Sequence, residues 1–380
     1  MSSDIPYSRK HPFPAPLLVN RNLCGPGSEK ETRHVEFSLA GSGLQYEAGD
    51  SLGVHATNDP TLVDEIIGLL RCSPDAEVLN VDKQLEPLRA ALLRHCVITH
   101  PDRKFLAALV EKGGANGELA ALLVPERKAG LDEYLWGREV VDFLAAAPGL
   151  HFEPAEFVAT LRKLQPRLYS LASSQRVHPD EAHLAIAAVR YESHGRVRRG
   201  VCSTFLGERL PVGEAAPVFV HSAKGFRLPD DPARDIIMVG PGTGVAPFRA
   251  FLEDRRATGA TGRNWLFFGE QHAAANFFYR EEFERAMADG FLTRLDTAFS
   301  RDQAHKIYVQ HRLLERGAEV WRWIDAGAEF FVCGDAKRMA KDVDHALIEI
   351  VVAQGGRTPE TAAEYVETMR REKRYKRDVY

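Results

Sequence analysis

The strongest constraint on the fold is the alternation of apolar runs and helical segments after Asp230. Four short apolar runs, DIIMVG, RNWLFFGE, LTRLDTAFS and AEFFVCGD, are each bounded by glycine or polar residues. Helical segments such as PFRAFLEDRRATG and AKRMAKDVDHALIEIVVAQG separate them. Strand–helix alternation of this kind is typical of a parallel sheet with helices on both faces. We therefore predict an α/β domain over residues 230–380.

The chain before this domain carries two kinds of pattern. In RHVEFSL apolar and polar residues alternate, as in a half-buried strand, and strand patterns return in RLYSLASS, HLAIAAVRYES and APVFVHS. Between them, Asp59 followed by Pro60 has the form of a helix N-cap and first helical residue, and apolar residues then recur at helical spacing. The pattern predicts an antiparallel β barrel over residues 1–60 and 151–229, interrupted by an all-helical insert over 61–150.

Composition excludes several classes of protein. The chain has 380 residues, of which 44% are hydrophobic and 27% charged, and its formal net charge is −4, which argues against a generic nucleic-acid binder. No stretch approaches the ~18 uncharged apolar residues of a membrane-spanning helix. The first residues are polar and rich in proline, without the apolar segment of a signal peptide. We expect a cytoplasmic protein that binds neither nucleic acid nor membrane.

The cysteines indicate the kind of cofactor. Five are scattered along the chain without a C-x-x-C pair, at Cys24, Cys72, Cys96, Cys202 and Cys333. An iron–sulfur cluster needs about four grouped thiolates, which this spacing does not supply. We expect reduced thiols, organic cofactors and no metal site.

A glycine-rich turn gives the clearest phosphate signal. In VGPGTGVAPFRAFLE an apolar strand passes through Gly240, Gly242, Thr243 and Gly244 into a helix. Glycines let the backbone approach a pyrophosphate, and the N-terminus of the helix offers free N–H groups. The spacing differs from G-x-G-x-x-G, so it is not a generic dinucleotide fingerprint. A tight strand–helix turn without a ligand is the alternative.

Two shorter motifs are weaker. In Arg167-Leu168-Tyr169-Ser170 an arginine, an aromatic ring and a hydroxyl follow one another along a strand, where they can contact an anion and a ring, or serve packing and solubility. Gly200-Val201-Cys202-Ser203 precedes an apolar helical turn. Its backbone donors and hydroxyl can hold a second phosphate, with a plain helix cap as the alternative.

Together these motifs resemble a known family. R-L-Y-S, G-V-C-S-T-F-L and G-P-G-T-G-V-A-P-F-R occur in the order found in the ferredoxin–NADP reductase-like family, followed by S-R with K-I-Y-V-Q and by C-G-D-A-K-R-M-A-K-D-V. The helical insert is similar to that of the diflavin reductases. The ending R-Y-K-R-D-V-Y most resembles the NADPH–sulfite reductase flavoproteins. The resemblance implies a barrel that binds FAD and an α/β domain that binds NADPH.

The resemblance also implies which residues line each cofactor. The arginine of the first motif would meet the FAD pyrophosphate, and its tyrosine and serine the flavin ring. The full set implied for FAD is Arg167, Leu168, Tyr169, Ser170, Ala185, Ile186, Ala187, Tyr191, Gly200, Val201, Cys202, Ser203 and Tyr380. The glycine-rich turn would hold part of NADPH, and the set implied for the rest of that cofactor is Ser300, Arg301, Lys306, Ile307, Tyr308, Val309, Gln310 and Asp342.

The chemistry of the second set agrees with a phosphate ligand. Arg301 and Lys306, beside hydroxyl donors, suit the dianionic adenosine 2′-phosphate of NADPH. An NADH enzyme is expected to place an acidic residue against the ribose instead. A solvated basic surface is the alternative for such residues.

Four residues are implied to surround the reacting rings: Ser170, Cys333, Asp378 and Tyr380. Cys333 follows an apolar run at the expected carboxyl end of a strand, where open α/β sheets bind their ligands, although a free cysteine is more often a small buried hydrophobe. The family places Tyr380 over the flavin face. These residues would orient the nicotinamide and stabilise charge during hydride transfer.

The expected function is a stand-alone FAD-dependent NADPH reductase. The chain begins almost at the barrel, so neither the flavodoxin-like FMN domain of the diflavin reductases nor a second flavin is expected. Electrons would pass to a separate protein, either a hemoprotein of sulfite reduction or a flavodoxin-like protein. The alternatives are a general flavodoxin– or ferredoxin–NADP reductase and a catalytically silent NADPH-binding subunit. We expect a monomer when the chain is alone.

Overall fold

A computed structural model of the chain describes residues 7–114 and 117–380. The chain divides into two compact units. The first comprises the described residues up to Val54 together with Leu168–Ala188 and Pro211–Tyr380, and the second comprises His55–Arg167 and Val189–Leu210. No helix in the described ranges has both the length and the apolar character required to cross a membrane.

The described residues form strands and helices in both units. In chain order, the strands are β1 (Phe13–Asn22), β2 (Thr32–Ser38), β3 (Ser51–Val54), β4 (Glu77–Leu79), β5 (Leu85–Pro87), β6 (Arg167–Ser170), β7 (Glu181–Ala187), β8 (Arg190–Ser193), β9 (Arg196–Arg199), β10 (Ala215–His221), β11 (Ile236–Val239), β12 (Asn264–Glu270), β13 (Arg294–Phe299), β14 (Glu329–Gly334) and β15 (Tyr375–Val379). The α-helices are α1 (Pro60–Leu70), α2 (Leu88–Arg94), α3 (Arg103–Glu111), α4 (Gly117–Leu122), α5 (Lys128–Leu135), α6 (Val140–Ala146), α7 (Pro154–Thr160), α8 (Val201–Thr204), α9 (Ala246–Ala257), α10 (Ala273–Asn276), α11 (Arg280–Ala288), α12 (Val309–Glu315), α13 (Gly317–Asp325), α14 (Met339–Gly355) and α15 (Pro359–Arg371).

The first unit contains the predicted barrel. Its six strands follow the order β6-β3-β10-β1-β2-β7. β1 pairs antiparallel with β2 and β10, β10 with β3, and β2 with β7. An isolated bridge between Leu171 and Leu184 connects the residue after β6 to β7, which closes the sheet. Phe37 and Leu52 are fully buried inside it. The expectation of an antiparallel barrel is confirmed.

The same unit contains the predicted α/β half. Five strands pair in parallel in the order β13-β12-β11-β14-β15. Alternate residues of each strand pack into hydrophobic cores on the two faces, Met238 and Phe268 into one, Val239 and Phe267 into the other. The chain runs outward from β11 in one direction through β12 and β13, then returns to add β14 on the other side. Strand order therefore reverses between β11 and β14, the place where open α/β sheets bind ligands.

The second unit contains the predicted insert, which is mainly helical but not all-helical, because β4 and β5 pair antiparallel within it. Asp59 caps α1 by accepting a hydrogen bond from the N–H of Thr61 at 2.9 Å, and Pro60 is the first helical residue. Helices α1–α7 enclose a core with Phe105, Phe152 and Phe157 at its centre. This unit also includes the β8–β9 hairpin and α8, which the sequence analysis assigned to the barrel. The three-domain division by sequence therefore stays a prediction.

Candidate functional site

The glycine-rich turn lies at the reversal point of the parallel sheet. Gly242 has φ +59°, a left-handed conformation that favours glycine. A Cβ on Gly244 would lie 2.2 Å from the carbonyl oxygen of Cys333, and one on Gly240 would lie 2.5 Å from the carbonyl oxygen of Gly244. The turn is therefore packed directly against the end of β14, and only glycines permit that approach. Its bare backbone fits a pyrophosphate at the start of α9.

A polar cluster lies beside this turn. The parallel register of β14 and β15 places Asp378 opposite Cys333. Ser170, the last residue of β6, donates a hydrogen bond from Oγ to Oδ2 of Asp378 at 2.7 Å. The Cys333 thiol points at the same oxygen over 3.9 Å. The barrel and the parallel sheet thus bring together three of the four residues implied to surround the reacting rings.

The protonation state of Cys333 follows from its surroundings. Its side chain is fully buried. Burial, and after it the negative charge of Asp378, raises the pKa of the Cys333 thiol well above its ordinary value. The residue is therefore a neutral thiol near pH 7, suited to packing and weak hydrogen bonding and unsuited to act as a thiolate nucleophile.

Tyr380 joins the cluster through its backbone and its hydroxyl. Its N–H donates to the carbonyl oxygen of Gly334 at 3.1 Å, and its own carbonyl accepts from the N–H of Ala336 at 3.1 Å. The hydroxyl lies 3.1 Å from Oγ1 of Thr243 in the glycine-rich turn. With its backbone held in this way, the residue is still 66% exposed. An exposed aromatic ring on a held backbone fits a stacking partner for a planar cofactor.

The residues implied to bind the 2′-phosphate share the loop between β13 and α12. The N–H groups of Ser300 and Arg301 are fixed by the carbonyl oxygens of Glu270 and Gln271, at 2.8 and 2.9 Å. The Arg301 guanidinium forms an exposed ion pair with Glu29. Lys306 is exposed. The loop therefore offers two cations at the surface, one of them held by a single exposed carboxylate.

The start of α12 extends this surface. Tyr308 is the N-cap of α12 and is 42% exposed. Gln310 donates from Nε2 to Oδ2 of Asp342, in the first turn of α14, at 3.2 Å. Two helices that begin at the carboxyl edge of the sheet are thereby linked.

Some of the implied residues have buried side chains. Ala185 and Ile186 in β7 are only 5% and 1% exposed, and Val309 in α12 is 2% exposed. Ile307 is partly buried against the same core as Val309. Ala185, Ile186 and Val309 can therefore reach a cofactor only through their backbone. Their assignment to the cofactor sites stays a prediction.

In the second unit, the implied phosphate loop is well formed. Gly200 is the N-cap of α8, and a Cβ there would lie 2.6 Å from Oγ of Ser203. That hydroxyl accepts from the N–H of Val189 at 3.1 Å and donates to the carbonyl oxygen of Gly200 at 3.3 Å. The Ser203 side chain therefore shapes the loop. A phosphate would be held mainly by the N–H groups of the first turn of α8.

The second unit also contains an aromatic pair that the sequence analysis missed in part. Tyr191 is 39% exposed, and its ring centroid lies 5.8 Å from that of Trp136, which is 67% exposed. Gly137 follows with φ +72°, and a Cβ there would lie 2.1 Å from Oγ of Ser193. The close approach at Gly137 places Trp136 beside β8. In the sequence, the only signal for this aromatic pair was the dipeptide Trp136-Gly137, which fits no helical or strand pattern.

The remaining members of the first motif lie at the surface. Arg167 and Leu168 are exposed, Leu168 by 46%, and Tyr169 is half-buried. Side chains alternate along a strand, so Leu168 and Ser170 lie on one face of β6 and Arg167 and Tyr169 on the other. The strand thus offers apolar, aromatic and polar groups of the kind that line cofactor sites.

Comparison with known families finds two domain families along the chain. Residues 5–205 match the FAD binding domain family, and residues 238–345 match the oxidoreductase NAD-binding domain family. The order of the two domains is the one that the motifs predicted.

Similar proteins from several bacteria carry one name. The chain is 48% identical over 376 residues to the sulfite reductase [NADPH] flavoprotein alpha-component of Bacillus subtilis (strain 168), covering 98% of this chain and 62% of that protein. It is 46% identical over 378 residues to the protein of the same name from Serratia proteamaculans (strain 568), covering 99% and 62%. The corresponding protein of Mannheimia succiniciproducens is 44% identical over 378 residues, covering 100% and 62%. The chain thus spans about 62% of the length of these relatives.

Proposed function

We propose that this chain, which belongs to the FAD binding domain family, is an FAD-dependent NADPH reductase like that of the sulfite reductase [NADPH] flavoprotein alpha-components. The observation that carries the proposal is the cluster of Ser170, Cys333 and Asp378 beside the exposed ring of Tyr380. FAD supplies the chemistry when bound, since it accepts a hydride from NADPH and releases electrons singly. The chain provides binding, orientation and electrostatics.

Asp378 is proposed to stabilise the charge that develops on the nicotinamide. The ring becomes cationic as its hydride leaves, and a fixed carboxylate nearby favours that change. Ser170 holds the carboxylate by its 2.7 Å hydrogen bond, so the group needs little reorganisation during the reaction. The neutral Cys333 thiol packs there without adding a charge.

Tyr380 is proposed to cover the flavin where the nicotinamide must arrive. Its backbone is held by Gly334 and Ala336, so the ring can swing aside while the strand stays paired. The nicotinamide must then displace a stacked ring, which costs on the order of 0.5–1.5 kcal/mol. Binding of the rest of NADPH to the glycine-rich turn and to the basic loop offsets that cost.

The basic loop is proposed to select NADPH over NADH. Arg301 and Lys306 lie in the β13–α12 loop with Ser300, where cations and a hydroxyl can meet a phosphate. A 2′-phosphate would replace the exposed carboxylate of Glu29 as the partner of Arg301. An exposed ion pair contributes only about 0–1 kcal/mol, so this exchange is inexpensive.

We also propose that the reduced protein passes electrons to a separate acceptor, with the hemoprotein of sulfite reduction as the first candidate. The names of the relatives support this assignment. A flavodoxin-like protein is the carrier to test between this chain and the hemoprotein.

The test is anaerobic reduction of the FAD-loaded chain. We expect NADPH to bleach the flavin absorbance, and ferricyanide to reoxidise it. Subsequent addition of sulfite reductase hemoprotein, with and without a flavodoxin-like protein, should show which acceptor is reduced. Failure to bind FAD, or a flavin that NADPH does not reduce, would contradict the proposed activity. Reduction of ferricyanide but of neither protein would contradict only the proposed acceptor.

A further inference from the structure

A cluster of histidines and carboxylates lies on the outward-facing side of β2 and β7 of the barrel. His34 and Glu36 come from β2, His183 and Glu181 from β7, and His178 from the turn before β7. His34 and His183 are 1% and 2% exposed, whereas Glu36 and Glu181 are only partly buried. The imidazoles are thus inside, and the carboxylates connect them to solvent.

The distances bring His34, Glu36 and His183 around one point, with candidate ligand atoms that all lie within 4.8 Å of one another. Nε2 of His34 lies 2.9 Å from Oε1 of Glu36, and Nε2 of His183 lies 2.8 Å from Oε2 of Glu181. The other oxygen of Glu36 is 4.0 Å from Nε2 of His183, so this carboxylate stands between the two rings. Ligand atoms on a tetrahedral Zn²⁺ are about 3.4 Å apart, from bond lengths of about 2.0–2.1 Å. The observed separations bracket that value.

We propose that His34, Glu36 and His183 form a binding site for one divalent transition-metal ion of the Zn²⁺ type. Two imidazole nitrogens and one carboxylate oxygen are a ligand set that Zn²⁺ accepts. Three protein ligands leave the fourth tetrahedral position to a water molecule. Glu181 belongs with His178 and His183 to a second, neighbouring group of candidate ligands.

The local charge supports a cation. Four carboxylates and two guanidiniums surround the imidazoles: Glu36, Glu181, Glu253 and Glu282, with Arg21 and Arg249. Carboxylates therefore outnumber guanidiniums around the rings, and His178, 3.5 Å from Glu181 and 3.4 Å from Glu253, is a further basic group there.

The neighbours of the second ring nitrogen, Nδ1, of each histidine bear on metal binding. Nδ1 of His34 lies 2.9 Å from the hydroxyl of Tyr279, which precedes α11, so that Nε2 is the nitrogen aimed at the carboxylates. A ligating histidine normally makes such a hydrogen bond through its second nitrogen. Nη1 of Arg249, on α9, is 3.5 Å from Nδ1 of His183. Coordination by Nε2 puts a proton on Nδ1, so this long contact must be given up, while Arg249 keeps Glu282 and the carbonyl of Ala172.

The experiment measures metal binding by the FAD-loaded chain after dialysis against a chelator. Zn²⁺ affinity and stoichiometry are obtained by competition with a chromophoric indicator, and Co²⁺ replaces Zn²⁺ as a spectroscopic probe. We expect one equivalent of Zn²⁺, intense Co²⁺ bands of four-coordinate type at longer wavelength than the flavin bands, and a higher melting temperature with Zn²⁺.

Variants assign the site. His183→Gln and Glu36→Gln should each weaken Zn²⁺ binding by about 100-fold or more, since even residues that only support a ligand contribute about 10–100-fold. His151→Gln is the matched control, because His151 forms an exposed pair with Glu153 at 2.8 Å. FAD content reports that each variant is folded. The absence of saturable binding to the wild-type chain, a six-coordinate Co²⁺ spectrum, or equal affinity in the wild type and both site variants would overturn the proposal.

Discussion

Replacing Asp378 by asparagine tests the proposed hydride-transfer site most directly. The amide keeps the size of the carboxylate and removes its charge. A nicotinamide in contact with this group would carry its new positive charge about 4–5 Å away, where the attraction is about 3–4 kcal/mol at an effective dielectric constant of about 20. If roughly half of the charge has developed in the transition state, the barrier rises by about 1.5–2 kcal/mol. Hydride transfer should therefore slow by about 10- to 30-fold.

The assay is anaerobic stopped-flow mixing of FAD-loaded protein with NADPH, followed at the flavin absorbance. Deuterium at the transferred position of NADPH should slow the same phase, which identifies it as hydride transfer. The dissociation constant of NADPH should change by less than about threefold, because the lost interaction belongs to the transition state. Ser170→Ala keeps the charge but removes the 2.7 Å hydrogen bond that holds it, so a smaller decrease is expected.

Asp344→Asn is the control carboxylate. Asp344 accepts from Arg377 at 2.8 Å and contacts the hydroxyl of Tyr375 and the guanidinium of Arg370, so its loss should lower stability and leave the hydride step unchanged. An unaltered rate in Asp378→Asn would refute the electrostatic role of Asp378. An equal decrease in Asp344→Asn would show that the effect is a general consequence of disturbing β15.

Three further predictions concern nucleotide choice, the terminal ring and pH. Replacing both Arg301 and Lys306 by alanine should raise the KM for NADPH about 100-fold or more relative to that for NADH, since each charged hydrogen bond contributes about 1.5–3 kcal/mol. Equal effects on both nucleotides would rule out a 2′-phosphate site. Tyr380→Ala should change the visible flavin spectrum and lower the NADPH/NADH preference about 2- to 10-fold, the equivalent of one stacking interaction; identical spectra would show that the ring does not lie on the flavin. Burial lowers the pKa of His34 to about 2 in the folded, metal-free protein. Below pH 6.5 the unfolded chain therefore binds more protons than the folded chain, and the free energy of unfolding falls as pH drops, by up to about 1.4 kcal/mol per pH unit. Denaturant titrations between pH 6.5 and 4 should show a shallower fall in His34→Gln, and an unchanged slope would assign the effect to other groups.

Features that depend on neighbouring residues were predictable from the sequence. The alternation of apolar runs with helices identified the parallel sheet, because each strand and each helix is encoded locally. The Asp59 cap followed from an N-cap residue before a proline, and α1 begins at Pro60 as expected. The glycine-rich turn was found for the same reason: Gly240, Gly242 and Gly244 form one local conformation between β11 and α9.

Features assembled from distant strands were harder to predict. Trp136 and Tyr191 meet because the backbone approaches closely at Gly137. No periodic pattern of apolar residues predicts this contact. The histidine cluster draws His34 and His183 from two paired strands that are far apart along the chain. In the sequence, each histidine is one polar residue of a strand pattern, and only the register of β2 against β7 places the two side by side.

The Ser170–Asp378 contact shows why the family resemblance was needed for the reacting groups. The two residues are 208 positions apart, one at the end of a barrel strand and the other on the last strand of the parallel sheet. Within the first unit, this hydrogen bond and the one between His34 and Tyr279 both connect a barrel strand to the α/β half. Each is a polar contact at 2.7–2.9 Å, a range in which small displacements weaken the bond. The geometry for hydride transfer therefore depends on how the barrel packs against the parallel sheet. That packing is a property of the folded chain and is not encoded by any local motif.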